Sequence, residues 1–239
     1  MKLSTRLTPL VAMGMLTSMY VTPAVSAEVT AGIGIANMYL WRGVNEGAQN
    51  SAAGGGQAQV SGELSAKLEN GAYATAWLSS SGIGGSETDI IIGYAATNAD
   101  IDWDVSYVTY LYPGAGLTDD NGETQYGLFD TNVAEIVGSI AYVGFSAGLY
   151  VNVDNNYDDD IYLTLGYEWS KYSVTFGQWF RDKSSGDEYS HLTLSYAATD
   201  ALSFTVNKAF TDKSRQQGGV ENDPLFQVSY GWSFDLKKK

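Results

Sequence analysis

Phe226-Gln227-Val228-Ser229-Tyr230-Gly231-Trp232-Ser233-Phe234 decides the fold. Phe226, Val228, Tyr230, Trp232 and Phe234 take every second place, and Gln227, Ser229, Gly231 and Ser233 fill the places between. Successive side chains of a strand point to opposite faces, so this stretch has one aromatic face and one small polar face. A helix would scatter the same rings around its circumference. Val60, Gly62, Leu64, Ala66 and Leu68 alternate in the same way with Gln59, Ser61, Glu63, Ser65 and Lys67. Ile161, Leu163, Leu165, Tyr167 and Trp169 alternate with Asp160, Tyr162, Thr164, Gly166 and Glu168. Further strands are expected over 29–41, 72–78, 87–96, 101–112, 133–142, 145–153, 172–181, 189–198 and 201–210. That makes twelve, with ten or fourteen as the neighbouring counts if boundaries drift. In 72–78, Tyr73, Thr75 and Trp77 compete with Ala74, Ala76 and Leu78 for the outward face.

The chain has 239 residues with 13 basic and 27 acidic side chains, a net charge of −14. Such a balance repels nucleic acid, whose phosphates need Lys and Arg. There is no cysteine, which removes disulfides and thiolate metal sites, and a single histidine, His191, which removes histidine clusters. Lys2 and Arg6 precede an apolar run from Leu7 to Met19, and Val25-Ser26-Ala27 supplies the small residues of an export cleavage site. Residues 1–27 therefore read as a signal peptide and 28–239 as one domain. Past this segment no run reaches the ~20 apolar residues of a membrane helix. High Gly (27) and Tyr (17) with few Pro (4) suit an all-β, antiparallel transmembrane β-barrel, in which only one face of each strand must be apolar.

The connections support that architecture. Short ones at 69–71, 97–100, 143–144, 170–171 and 199–200 alternate with long polar ones at 42–56, 79–86, 117–131, 154–159, 182–188 and 211–224. A barrel with turns on one side of a membrane and loops on the other needs this alternation. Glu69-Asn70-Gly71 is a hairpin signal in itself. Charge parity agrees: Glu63, Lys67, Glu87, Asp89, Asp102, Asp104, Glu135, Asp160, Glu168 and Arg181 lie opposite the apolar residues, and Arg42 continues that parity at the end of the first strand. Only Lys208 falls on the apolar face, and its cost of ~2–4 kcal/mol at the bilayer centre places it near the rim. Two aromatic girdles are expected, one from Tyr73, Tyr94, Trp103, Tyr142, Phe145, Trp169, Tyr172, Tyr196 and Trp232, the other from Trp41, Trp77, Phe180, Phe210 and Phe226.

Tyr39-Leu40-Trp41-Arg42-Gly43 resembles the opening signature of the TorF-type porin family, also called the Gcw_chp family of proteobacterial outer-membrane proteins. Residues 71–77 followed by Ser79-Ser80, Glu87-x-Asp89 leading to Gly93-Tyr94, and Glu135-Ile136 with Phe145-Ser146-Ala147 are similar to later parts of its pattern. The resemblance implies a porin-like outer-membrane barrel of a Gram-negative bacterium, with no catalytic residues and no cofactor. Many such barrels end on an aromatic residue read by the barrel-insertion machinery, whereas here Asp235-Leu236-Lys237-Lys238-Lys239 follows Phe234.

Eight strands give a barrel filled by side chains and sixteen a wide channel, so twelve are expected to pass ions and small solutes. The expected lining carries eight acids (Glu63, Glu87, Asp89, Asp102, Asp104, Glu135, Asp160, Glu168) against Arg42, Lys67 and Arg181. Rings of carboxylates concentrate cations, which implies weak cation preference. Arg42 either sets a transverse field or pairs with a lumen acid, Glu63 or Glu87. An outer-membrane enzyme is the competing class, since His191, Thr193 and Ser195 share one face; the plainer account is a polar lumen row without an acid to orient the histidine. A structural or binding surface is the third. Asp154, Asp158 and Asp159 form a weak divalent-cation candidate that would bridge to lipopolysaccharide phosphates; Asp159 and Leu165 at positions six and twelve exclude an EF-hand. Expected partners are outer-membrane lipid and lipopolysaccharide, small solutes or ions, and the insertion machinery.

If export cleaves after Ala27, N-terminal sequencing of the mature protein reads Glu28-Val29-Thr30, on a 212-residue chain of 11 basic and 27 acidic groups. A mature protein that keeps the Leu7 to Met19 run would contradict it.

Overall fold

A computed structural model describes residues 28–46, 57–82, 85–113, 117–118, 124–125, 133–153, 160–181, 188–211 and 223–236. The expected signal peptide, the acidic loop carrying Asp154, Asp158 and Asp159, and Lys237 to Lys239 lie outside them. In chain order the strands are β1 (Glu28–Ala36), β2 (Leu40–Trp41), β3 (Val44–Asn45), β4 (Gln59–Lys67), β5 (Ala72–Ser79), β6 (Glu87–Asn98), β7 (Ile101–Leu111), β8 (Leu117–Thr118) and β9 (Thr124–Gln125). They continue as β10 (Val133–Tyr142), β11 (Phe145–Asn152), β12 (Ile161–Trp169), β13 (Tyr172–Phe180), β14 (Tyr189–Ala197), β15 (Leu202–Phe210) and β16 (Leu225–Asp235).

β2–β3 and β8–β9 are separate two-stranded hairpins, and the other twelve strands close into one barrel. Every pairing is antiparallel between chain neighbours, except for the seam, where β1 pairs with both β4 and β16. Thr30 faces Asp235 and Ala36 faces Ser229 across that seam. Closure leaves no strand edge, which hydrocarbon demands because it offers no partner to a bare N–H or C=O.

Side chains sort by the two-residue period. Ile33, Leu64, Ile92, Val105, Ile140, Leu165, Leu194 and Val206 are exposed on the outside, while Ser65, Thr75, Ser106, Ser139, Thr164, Ser195 and Thr205 are buried within. Exteriors of water-soluble monomers rarely carry an apolar patch beyond about 600 Å², whereas here the patch runs round the barrel; the surface suits lipid. At the end with the tight turns, stacked rings run along the outer wall: Phe145–Tyr167, Tyr167–Trp169, Trp169–Tyr172 and Tyr172–Tyr196, with centroids 4.4, 5.8, 5.7 and 5.1 Å apart. Phe180, Phe210 and Phe226 are exposed towards the other end. Lys208 lies opposite Leu192, two residues before β15 ends at Phe210, within reach of the headgroups.

Three girdle residues are corrected. Trp77 is buried inside, its ring tilted against Tyr39 with centroids 5.8 Å apart. Tyr73 shares that inward row, and its ring covers Gly93 of β6, where any Cβ would strike it. Trp41 packs within the bore against Tyr110 and Trp179, because the first strand ends at Ala36 and not at Trp41. Asn37 causes this break. Its Nδ2 donates to the Phe226 carbonyl (3.1 Å) and its Oδ1 accepts from Val228 N–H (2.8 Å), so a side chain replaces the ladder while the backbone turns inward.

The outward positions predict a depth-dependent cost. Leu165→Lys, in the middle of β12, is expected to destabilise the barrel in lipid vesicles by about 2–4 kcal/mol, and Ile101→Lys, at the turn end of β7, by about 0–1 kcal/mol. Denaturant unfolding from vesicles measures both; equal costs would contradict the orientation.

Candidate functional site

Residues 38–46 fold back into the bore at the end that bears the long connections. Met38, Tyr39, Leu40 and Val44, which as a strand would alternate across a wall, are all buried inside the barrel. β2 and β3 pair through Leu40 with Asn45 and Trp41 with Val44, and Arg42-Gly43 forms the tip with φ of 43° and 87°. A Cβ on Gly43 would fall against the His191 ring, so glycine is required there by both φ and space. Side chains of the wall satisfy the hairpin's carbonyls. Gln227 Nε2 donates to Met38 O (2.9 Å), Tyr189 Oη to Arg42 O (3.0 Å) and Asn207 Nδ2 to Gly43 O (2.8 Å).

Arg42 is the centre of this plug. Its Nη1 donates to Glu135 Oε1 at 2.7 Å and its Nη2 to Glu135 Oε2, a two-pronged ion pair in which both side chains are nearly inaccessible. Nη2 also reaches Tyr110 Oη (3.1 Å), which in turn donates to Glu135 Oε2 (2.7 Å). Four rings surround the guanidinium: Trp41, Tyr150, Tyr162 and Trp179, with centroids 4.5, 4.6, 4.7 and 4.9 Å from Cζ. Removing a charge from water costs several kcal/mol, offset here by the carboxylate and by the negative faces of the rings. The expected partners Glu63 and Glu87 are thus corrected to Glu135: Arg42 is set by the inward turn at Asn37, not by strand parity, and lands at the height of β10.

The remaining charged positions face inward in two groups. Near the plug, Asp160 lies 3.7 Å from Arg181, whose guanidinium covers Trp179 at 4.6 Å. Glu87 accepts from Tyr112 Oη (3.4 Å), and Asp89, 0 % exposed, lies against the Glu87 carboxyl and, among the described residues, accepts from no N–H or hydroxyl donor. Glu63 sits at mid-height, opposite Gly32 and Trp77. Towards the turn end, Lys67 faces Glu28 and Tyr73 in the ladder, Asp102 and Asp104 are half-buried on β7, and Glu168 is exposed near the end of β12. Between the charges run small hydroxyls paired across strands: Ser65–Thr75 (2.8 Å), Ser195–Thr205 (3.0 Å) and Ser203–Ser229 (2.6 Å).

Alternation put Tyr162 on the polar face without giving it a role and did not single out Tyr110, Tyr150 or Trp179, although Tyr110 and Trp179 share the parity of the charged row. That coincidence of aromatic rings with the wet face was the available signal. His191 is buried under the hairpin tip. Thr193 gives its proton to Asn207 Oδ1 (2.7 Å), so the neutral His191 donates from Nδ1 to Thr193 (3.1 Å) and accepts from Tyr162 Oη at Nε2 (2.7 Å). The hydroxyl proton of Thr193 therefore points away from the histidine. Among the described residues, no three His, Asp or Glu side chains are grouped to hold a metal ion.

No curated protein matches the sequence. Among solved structures, a KdgM porin is similar at 9% identity and a TM-score of 0.44, over 89% of this chain and 100% of that one. The outer membrane phospholipase A from Escherichia coli is similar at 14% identity and 0.43, over 92% and 96%. A NanC porin is similar at 11% and 0.39, over 89% and 100%. These likenesses are distant. The family match is extensive, covering residues 21–222, and the chain belongs to the Gcw_chp family of bacterial proteins of unknown function.

Proposed function

We propose that the protein is an outer-membrane, porin-like channel for passive movement of ions and small solutes, weakly selective for cations and constricted by the β2–β3 hairpin. The observation that carries this reading is a lipid-facing exterior wrapped around an inward row of acids, hydroxyls and one charged plug. Asp102, Asp104 and Glu168 are accessible in the turn half of the bore and Glu63 at mid-height, where their potential favours cations. The apolar band, the stacked girdle and the export segment support the outer membrane of a Gram-negative bacterium as the location, with lipid, lipopolysaccharide and the insertion machinery as partners. Lys208 at the rim is suited to a lipopolysaccharide phosphate. We place no catalysis at His191, whose Nε2 lone pair is taken up by the buried Tyr162 hydroxyl and whose Nδ1 donates to Thr193, so that no base faces the Thr193 hydroxyl.

Tight packing of Met38, Tyr39 and Leu40 in the bore favours a second reading, a closed barrel that serves as a structural or binding surface. Planar-bilayer recording separates the two. A channel gives a cation-directed reversal potential in a salt gradient, which Asp102→Asn with Asp104→Asn moves towards zero; anion preference would overturn the selectivity.

Gly43→Ala tests the constriction. A side chain at φ 87° costs about 1–2 kcal/mol before the encounter with His191 is counted. The variant is expected to loosen the hairpin and raise single-channel conductance above wild type. Silent bilayers for both proteins would leave the closed-barrel reading standing.

A further inference from the structure

Arg42 enters its pocket on a hairpin, but the pocket is mostly barrel wall. Tyr110 comes from β7, Glu135 from β10, Tyr150 from β11, Tyr162 from β12 and Trp179 from β13; only Trp41 travels with Arg42. The wall residues are braced without the guanidinium. Tyr110 holds Glu135 by its own hydroxyl at 2.7 Å, Tyr162 packs on Tyr150 and Trp179 at 5.4 and 5.1 Å, and His191 fixes the Tyr162 hydroxyl at 2.7 Å. A rigid carboxylate ringed by aromatic faces is therefore built into the strands.

That arrangement is selective in chemistry. Two oxygens of Glu135 take two N–H groups of one planar cation while rings lie over its faces, a combination a guanidinium offers and an ammonium does not. A second carboxyl group lies beside it. Asp89 faces Tyr110 in the ladder, one strand spacing of about 5 Å away, and is fully buried against the Glu87 carboxyl; among the described residues no N–H or hydroxyl donates to either of its oxygens. It is placed to attract a second positive group on the same ligand. Arg42 itself is held with φ 43°, in the left-handed region that a non-glycine residue seldom adopts.

We propose that this wall cage is a binding site for small guanidinium-bearing cations, with Arg42 as its tethered occupant, which such a solute displaces. The proposal goes beyond the channel reading and does not depend on it, because occupancy of the cage is read without any current. A tethered group competes at an effective concentration of about millimolar or higher, so wild type responds only to high solute concentration and a chain lacking Arg42 to far less.

The test titrates the full mature barrel in detergent with guanidinium and with agmatine, which carries a guanidinium and a primary ammonium, against sodium and tetramethylammonium at equal ionic strength. Calorimetry and tryptophan fluorescence report binding. Guanidinium and agmatine are expected to bind Arg42→Ala at least about tenfold more tightly than wild type, agmatine the tighter of the two. Adding Glu135→Gln is expected to cost about tenfold or more, through the lost charge-assisted bonds. Sodium and tetramethylammonium are expected not to saturate. A folded Arg42→Ala barrel without saturable guanidinium binding overturns the proposal, as does equal binding to wild type or to the double variant. Should Arg42→Ala fail to assemble, Arg42→Lys keeps a cation in the cage, and guanidinium must displace it at lower concentration than in wild type; an equal response is equally fatal.

Discussion

A backbone amide in hydrocarbon has nothing to bond to except another part of the chain, and this constraint orders the rest of the molecule. It forces β1 onto β16, although they lie at opposite ends of the sequence. It also explains Asn37. Where β1 leaves the wall, Phe226 and Val228 would be stranded at the seam; the Asn37 amide, a peptide group in miniature, bonds to both. A single side chain thus permits the wall to lose a strand early without opening an edge.

The same requirement governs the bore, where charge takes the place of backbone. The barrel surrounds more carboxylates than bases, and the hairpin brings Arg42 to the point at which Glu135 has only Tyr110 beside it as a wall donor. Because the ion pair is buried, removing one partner alone is far more damaging than the pair is stabilising, by about 3–5 kcal/mol in comparable cases. Plug and wall are therefore coupled: the hairpin is held by the charge it neutralises, and the wall acids are tolerated because the hairpin is present.

Much of this was legible from residue order. Strands such as 225–235 alternate cleanly, and their aromatic faces lie outside. β5 was ambiguous because Tyr73 and Trp77 oppose Ala74 and Leu78, so both faces are apolar. Their direction is settled by non-local partners, Gly93 under the Tyr73 ring and Tyr39 against Trp77, and alternation carries no register between strands. The inward course of 38–46 was hidden for a related reason. Its side chains are as apolar as those of a lipid-facing strand, and only the long-range bonds of Asn37 and Gln227 turn them to the inside. The Arg42–Glu135 pair spans 93 positions along the chain, a distance across which composition gives no cue.

The plug grows directly out of the strand that closes the barrel, and this has a bearing on the order of assembly. Only Asn37, Met38 and Tyr39 separate β1 from the hairpin, so the tip meets the rings of β11, β12 and β13 once those strands have curled round to face β1. Seating the stopper and closing the seam therefore belong together, and a strand early in the chain waits for one late in it. A bore built wrongly would hold the tip out, so the stopper reports on the vessel that it fills.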